Sequence, residues 1–283
     1  MTGTTTRLPA GPAAPGGAAG PAVPAGPAVP ADPADGALDR LLAMTRWLGE
    51  PARELAILAE GNSSVATGPG RMLVKASGSS MATATAADFV EVRTAGLLDL
   101  LDAPDPDDDQ LTAALLGARV DGGPRPSIEA LLHALCLAQP GVRAVGHTHP
   151  TVLNGILCSD RAHTLVDGVL FPDQVVVCGR RPLLVPYADP GVPLAKAVRE
   201  ALDRHVDDHG AVPKVVHLVN HGVFVLGASE ADVVATTAMT VKAAAVLAGA
   251  LAAGRPVYLS DAAADRIEGR PDEHLRRDRL ARG

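Results

Sequence analysis

Apolar residues recur every three or four positions from Leu38 to Leu48 (LDRLLAMTRWL), which predicts an amphipathic helix with Asp39 near its start and Gly49 at its stop. Two short apolar runs, SSVA and RMLVKAS, flank TGPG and predict a hairpin-like strand pair. From Ala87 to Leu101 helix and strand signals overlap, and Asp102–Asp109 (DAPDPDDD) reads as an acidic surface loop. Pro126–Gln139 predicts a helix whose apolar face carries Ile128, Leu131, Leu132, Leu135 and Cys136, with Glu129 and His133 together on a second face. VRAVGHTHP reads as a strand ending in two histidines, and QVVVCG, PLLVPY and VVHLVN read as further strands. A helix over Pro193–Asp207 precedes the last of these, Val223–Leu226 continues the sheet, and Glu230–Ala253 forms a long Ala/Val-rich helix. Strands alternating with helices define an α/β layered domain.

Composition divides the 283 residues once. Residues 1–37 are almost wholly Ala, Pro, Gly and Thr, too poor in large apolar groups to build a core, and are expected to be a disordered extension. Residues 38–262 carry enough Val, Leu, Ile and Ala for one core, and 263–283 form a charged tail. With aromatics at only 2%, a stacking platform for nucleic acid is not expected, and a net charge of −7 opposes a phosphate-backbone binder. No run of eighteen apolar residues occurs, so no membrane span is expected. Gly and Pro stand where a secretory signal would be apolar, and a cytoplasmic protein is the expectation. Cys136, Cys158 and Cys178 form no CxxC pair and are read as buried small hydrophobes.

The candidate chemistry lies in histidines. His147 and His149 flank Thr148, and residues two apart on a strand point to one side, so both imidazoles can face one point. His221 ends a strand in VNHGVFVLG beside a glycine that permits close backbone approach. Three histidines with an open fourth position suit a catalytic zinc ion. Glu129 lies eighteen residues before His147, close enough for a helix-to-strand return to bring it to the same pocket. His163, His205, His209 and His274 sit in polar or loop contexts, and His217 reads as a core histidine on an apolar strand.

The ordered set EGNSSV, KASGSSM, PSIEALLH, GHTHP and VNHGVFVLG resembles the class II aldolase/adducin family. That family includes fuculose-1-phosphate aldolase, rhamnulose-1-phosphate aldolase and ribulose-5-phosphate 4-epimerase. The resemblance covers about Leu38 to Asp261. It implies a three-layer α/β/α domain around a nine-stranded-type, largely antiparallel or mixed sheet. It also implies a homotetramer with active sites at subunit interfaces. Carried over by position, His147, His149 and His221 match the histidines that hold Zn2+ or another divalent ion. Glu129 matches the acidic proton shuttle, and Gly61, Asn62, Ser77, Gly78 and Ser127 match the loops that hold the substrate phosphate. Backbone N–H groups and hydroxyls near glycines and a helix start suit a phosphate dianion.

The implied reaction is metal-assisted cleavage or formation of a C–C bond in a small sugar phosphate, through a metal-stabilised enediolate, giving dihydroxyacetone phosphate and an aldehyde. Such chemistry needs no Schiff-base lysine, so Lys75, Lys196, Lys214 and Lys242 are read as solvated or structural. Two departures stand out. Ile128 follows Ser127 where family aldolases often carry a second small hydroxyl residue, and neither Tyr187 nor Tyr258 falls where some members place a tyrosine acid. Asp173, in FPDQVVV, lies near where epimerases draw an acid/base group from a neighbouring subunit; its alternative is a turn residue. Glu rather than Asp at 129 ranks aldolase over pentulose-phosphate 4-epimerase. Methylthioribulose-phosphate dehydratase and sugar-acid-phosphate decarboxylase share the same metal set. An adducin-like interaction domain ranks lower, because such domains lack the three histidines.

Overall fold

A computed structural model describes residues 36–270, and the Ala/Pro-rich stretch 1–35 and residues 271–283 lie outside the described residues. Helix α1 (Ala37–Leu48) leads into the hairpin of β1 (Asn62–Gly68) and β2 (Arg71–Lys75), then β3 (Phe89–Arg93), α2 (Ala95–Asp102) and α3 (Asp108–Gly117). Helix α4 (Ala130–Leu137), β4 (Ala144–Thr148), α5 (Thr151–Leu157) and α6 (Pro172–Cys178) follow. The chain then forms β5 (Leu183–Val185), α7 (Val192–His209), β6 (Val215–Leu218), β7 (Gly222–Gly227), α8 (Glu230–Ala253) and α9 (Asp261–Glu268).

The strands form one open, mixed sheet in the order β3-β2-β1-β4-β7-β6-β5, antiparallel except for the parallel β5–β6 pair. Period-two alternation sorts its side chains between two cores. Val145, Val216, Phe224 and Leu226 face α2, α3, α4 and α7, whereas Ala144, Val215, Val223 and Val225 face α1, α5, α6 and α8. The helices therefore flank the sheet on both sides, as the resemblance implies. Each fully buried Val or Leu in these layers contributes roughly 1.5–3 kcal/mol.

Several local expectations are corrected. Gln174–Gly179, expected as a strand from its three valines, is helix α6, because Pro172 opens the first turn and Gly179 ends it at φ 79°. The acidic segment is a loop only as far as Asp107, whose side chain accepts from Gln110 N–H in a capping box that starts α3. The helix expected from Pro126 begins at Ala130, with Glu129 as its N-cap. Among the described residues the sheet has seven strands rather than nine. The stretch from Arg119 to Pro126 pairs only at the bridges Val92–Arg119 and Ala76–Pro126, since Gly122, Gly123, Pro124 and Pro126 break a continuous ladder. Cys136 and Cys178 are buried and burial pushes their thiols up to about 12 and 11, but Cys158, at the end of α5, is exposed.

Helix α8 contains no unbroken run of eighteen apolar residues, although by length and composition it is apolar enough to cross a membrane. It packs against β4, β7, α1, α5 and α6, placing Val233, Ala244 and Leu247 in the core.

Candidate metal centre

The site forms at one end of the central strands, on the α4 side of the sheet. His147 is the fourth residue of β4 and pairs across the ladders with Asn62 of β1 and Phe224 of β7. Its ring is fully buried and stacks on Phe224 at 4.1 Å between centroids. His149 follows the strand end, and its ring lies 4.7 Å from that of His147, as the two-residue spacing predicts. His221 reaches them from the β6–β7 turn, where Asn220 adopts φ 57°. Its ring centroid is 5.0 Å from that of His147 and 5.1 Å from that of His149. Gly222 makes this approach possible: a Cβ there would lie 2.5 Å from the Thr148 carbonyl oxygen and 2.6 Å from His149 Cδ2.

Glu129 enters from the N-terminal end of α4. One carboxylate oxygen, Oε1, lies 3.2 Å from Nε2 of both His147 and His221. One ligand atom each from Glu129, His147, His149 and His221 falls within 4.8 Å of the others. Burial pushes the Glu129 carboxyl up, but the charge of His147 and hydrogen bonds from His147 and His221 outweigh it and hold it well below the usual carboxylate range. The same burial, aided by the neighbouring histidines and opposed by Glu60 and Glu129, pulls His149 down to about 4.

Hydrogen-bond partners fix the imidazole tautomers. His147 Nδ1 faces the Val223 carbonyl at 3.0 Å, and His149 Nδ1 faces the Glu60 carboxylate at 2.9 Å. Both partners are acceptors, so both Nδ1 atoms carry a proton, and in the neutral form of each ring, the form that binds a metal, the Nε2 lone pair points inward. Those two Nε2 atoms are 2.9 Å apart. With both rings neutral, two lone pairs held face to face repel unless a proton or a metal ion lies between them. Donors about 2.0–2.1 Å from a tetrahedral ion sit roughly 3.3 Å from one another, close to the separations found here. The donor set therefore fits a divalent ion.

Asn62 joins this cluster to the expected phosphate loops. Its Nδ2 donates to Glu129 Oε2 at 2.5 Å and to Ser127 Oγ at 3.0 Å, while its buried Oδ1 lacks a hydrogen-bond partner. Ser77 and Gly78 follow β2, and the Ser77 N–H donates to the Arg125 carbonyl at 3.0 Å, which draws their loop beside Ser127. Gly61 has φ 75° and touches the back of β4, where a Cβ would lie 3.0 Å from the His147 carbonyl oxygen and 2.6 Å from Met81 Sδ. Lys75, read as solvated or structural, is buried under this loop and donates to the Ser79 carbonyl at 2.5 Å. Burial lowers its pKa, with Asp88 and Glu129 opposing.

Other candidates stand apart from the cluster. Asp173 is half-buried in the first turn of α6. Tyr187 donates to Asp189 and Tyr258 to the Thr164 carbonyl. His133 is buried behind the site, where Ser64 Oγ lies 2.7 Å from its Nδ1 and burial pulls it down to about 3. His217 is a core histidine as expected, and burial pulls it down to about 4. Nothing local in the sequence marks Glu60 as a contact of His149, although it stands directly before Gly61 and Asn62.

Residues 39–248 match the family described as Class II Aldolase and Adducin N-terminal domain, and the chain belongs to that family. Among solved structures, YgbL from Klebsiella pneumoniae, described only as a candidate aldolase/epimerase/decarboxylase, superposes with a TM-score of 0.63 at 20% identity, covering 83% of this chain and 98% of that one. L-fuculose-1-phosphate aldolase from Thermus thermophilus superposes at 0.53 and 23% identity, covering 76% and 97%. YuxG of Bacillus subtilis (strain 168), named an uncharacterized oxidoreductase, is 32% identical over 132 residues. That match spans 46% of this chain and 17% of YuxG.

Proposed function

We propose that the chain is a divalent-metal-dependent lyase of the aldolase type, cleaving or forming a C–C bond between a dihydroxyacetone phosphate unit and an aldehyde. The carrying observation is the inward convergence of the Nε2 atoms of His147, His149 and His221 with Glu129 Oε1. His147, His149 and His221 hold the ion, Zn2+ being the first choice for three imidazoles. When bound, the ion supplies Lewis-acid stabilisation of the negative charge that develops on the substrate's oxygens.

The chain's own residues do the rest. Glu129 is ionised and moves a proton to and from the reacting carbon through Oε1. Asn62 holds Oε2 and so sets the direction of that carboxylate. Ser127 Oγ, Ser77, Gly78 and Asn62 line one rim, and Lys75 beneath it adds positive charge suited to a phosphate dianion. Gly61 lets the Asn62 strand lie against β4. A cytoplasmic homotetramer with sites at subunit interfaces completes the proposal; light scattering on the purified chain tests the assembly.

The deciding experiment offers ketose 1-phosphates and 5-phosphates separately to metal-loaded protein, and dihydroxyacetone phosphate with a panel of aldehydes. Release of dihydroxyacetone phosphate from 1-phosphates alone supports the aldolase reading. Interconversion of pentulose 5-phosphates without cleavage would replace it with epimerase chemistry.

A further inference from the structure

One carboxylate reaches the cluster from behind. Glu60 lies just before β1, and its Oε2 accepts from His149 Nδ1 at 2.9 Å. Its Oε1 accepts from the Ile57 N–H at 2.6 Å, and the Glu60 N–H donates to the Ile57 carbonyl at 3.1 Å. One side chain thus closes the Ile57–Glu60 turn and touches the imidazole. The same segment grips the His149 backbone: the His149 N–H donates to the Leu55 carbonyl at 2.7 Å and the Thr151 N–H to the Glu54 carbonyl at 3.1 Å.

This segment is strained. Glu54 and Leu58 both adopt φ 51°, a left-handed conformation that non-glycine residues keep only when surrounding contacts over-determine it. Apolar burial does not hold its tip, since Ile57 and Leu58 are 64% and 84% exposed. Hydrogen bonds hold it, and the Glu60 carboxylate accepts two of them.

We infer that Glu60 is a positioning residue for His149: it keeps the proton on Nδ1, fixes the ring plane and aims the Nε2 lone pair at the ion. The inference rests on the reading of His149 as a ligand. A carboxylate behind a metal-bound imidazole raises ligand basicity, and losing such a partner typically weakens metal affinity about 10–100-fold. The strained turn places that carboxylate against the His149 ring.

The test compares the wild-type chain with Glu60→Gln, which preserves side-chain size but removes the charge. Metal-free protein is titrated with Zn2+ against a chromophoric chelator, Co2+ replaces Zn2+ for a visible absorption spectrum, and thermal melts are run without metal. The expected result is Zn2+ affinity weakened about 10–100-fold with an altered Co2+ spectrum. A lower melting temperature with unchanged affinity and an unchanged spectrum would reduce Glu60 to a turn residue and overturn the inference. A wild-type chain that binds neither ion sinks the metal reading and this inference together. Wild-type binding matched by the variant sinks this inference alone.

Discussion

Asn62 Nδ2 lies 2.5 Å from Glu129 Oε2, a hydrogen bond between the first residue of β1 and the N-cap of α4, 67 positions apart. It leaves Oε1 as the oxygen that faces the histidines. A hydrogen bond to a charged group is worth about 1.5–3 kcal/mol. Asn62→Ala is therefore expected to lower kcat by about 10–100-fold while bound metal stays near the wild-type level. Parallel turnover and metal analysis check this; unchanged kcat would deny Asn62 its orienting role.

Gly222 supports the site by having no side chain. A Cβ there would collide with the Thr148 carbonyl and the His149 ring. Gly222→Ala is expected to destabilise the fold by about 1–3 kcal/mol and to reduce bound metal, as read by urea unfolding and elemental analysis.

Acid stability should report the buried histidines. In the unfolded chain His217 titrates near the usual 6.5, whereas burial holds it at about 4 in the fold. Between those pH values the unfolded chain binds a proton that the folded chain refuses. The contribution is thus fully present above pH 6.5 and falls by about 1.4 kcal/mol per pH unit until about pH 4. His217→Leu is expected to flatten the pH slope of stability by that amount in metal-free protein. Urea unfolding at several pH values across the window reads the slope, and an unchanged slope would contradict the assignment.

Chelation should empty the centre without unfolding the chain, because the cores on both faces of the sheet lie outside it. Activity should vanish on dialysis against a strong chelator and return with Zn2+. His149→Ala should bind no metal and recover nothing on its addition.

Much of the site is legible in the sequence because its residues carry local signals. His147 and His149 sit two apart on a strand, and His221 precedes a glycine that the geometry requires. Contacts with no local signature are not legible. Glu60 and His149 are 89 positions apart, and they are joined by the register of β1 against β4 and by the backbone bonds from His149 and Thr151 to Leu55 and Glu54. The burial of Lys75 likewise follows from a loop folding over it. Helix α6 reads as a strand because three valines favour one, while Pro172 and Gly179 set helical ends that tertiary packing favours. Cys158 reads as buried since its neighbours are apolar, but its own position, at the end of α5, faces outward.

The proposed reaction depends on Glu129 as a proton-moving carboxylate beside an ion held by three histidines. Glu129→Gln keeps the size of the side chain and removes its capacity to take a proton. Bound metal and turnover measured on the same preparation test the claim directly. The expected result is metal near the wild-type level with turnover lowered about 10²–10⁴-fold. Wild-type turnover in that variant would contradict it.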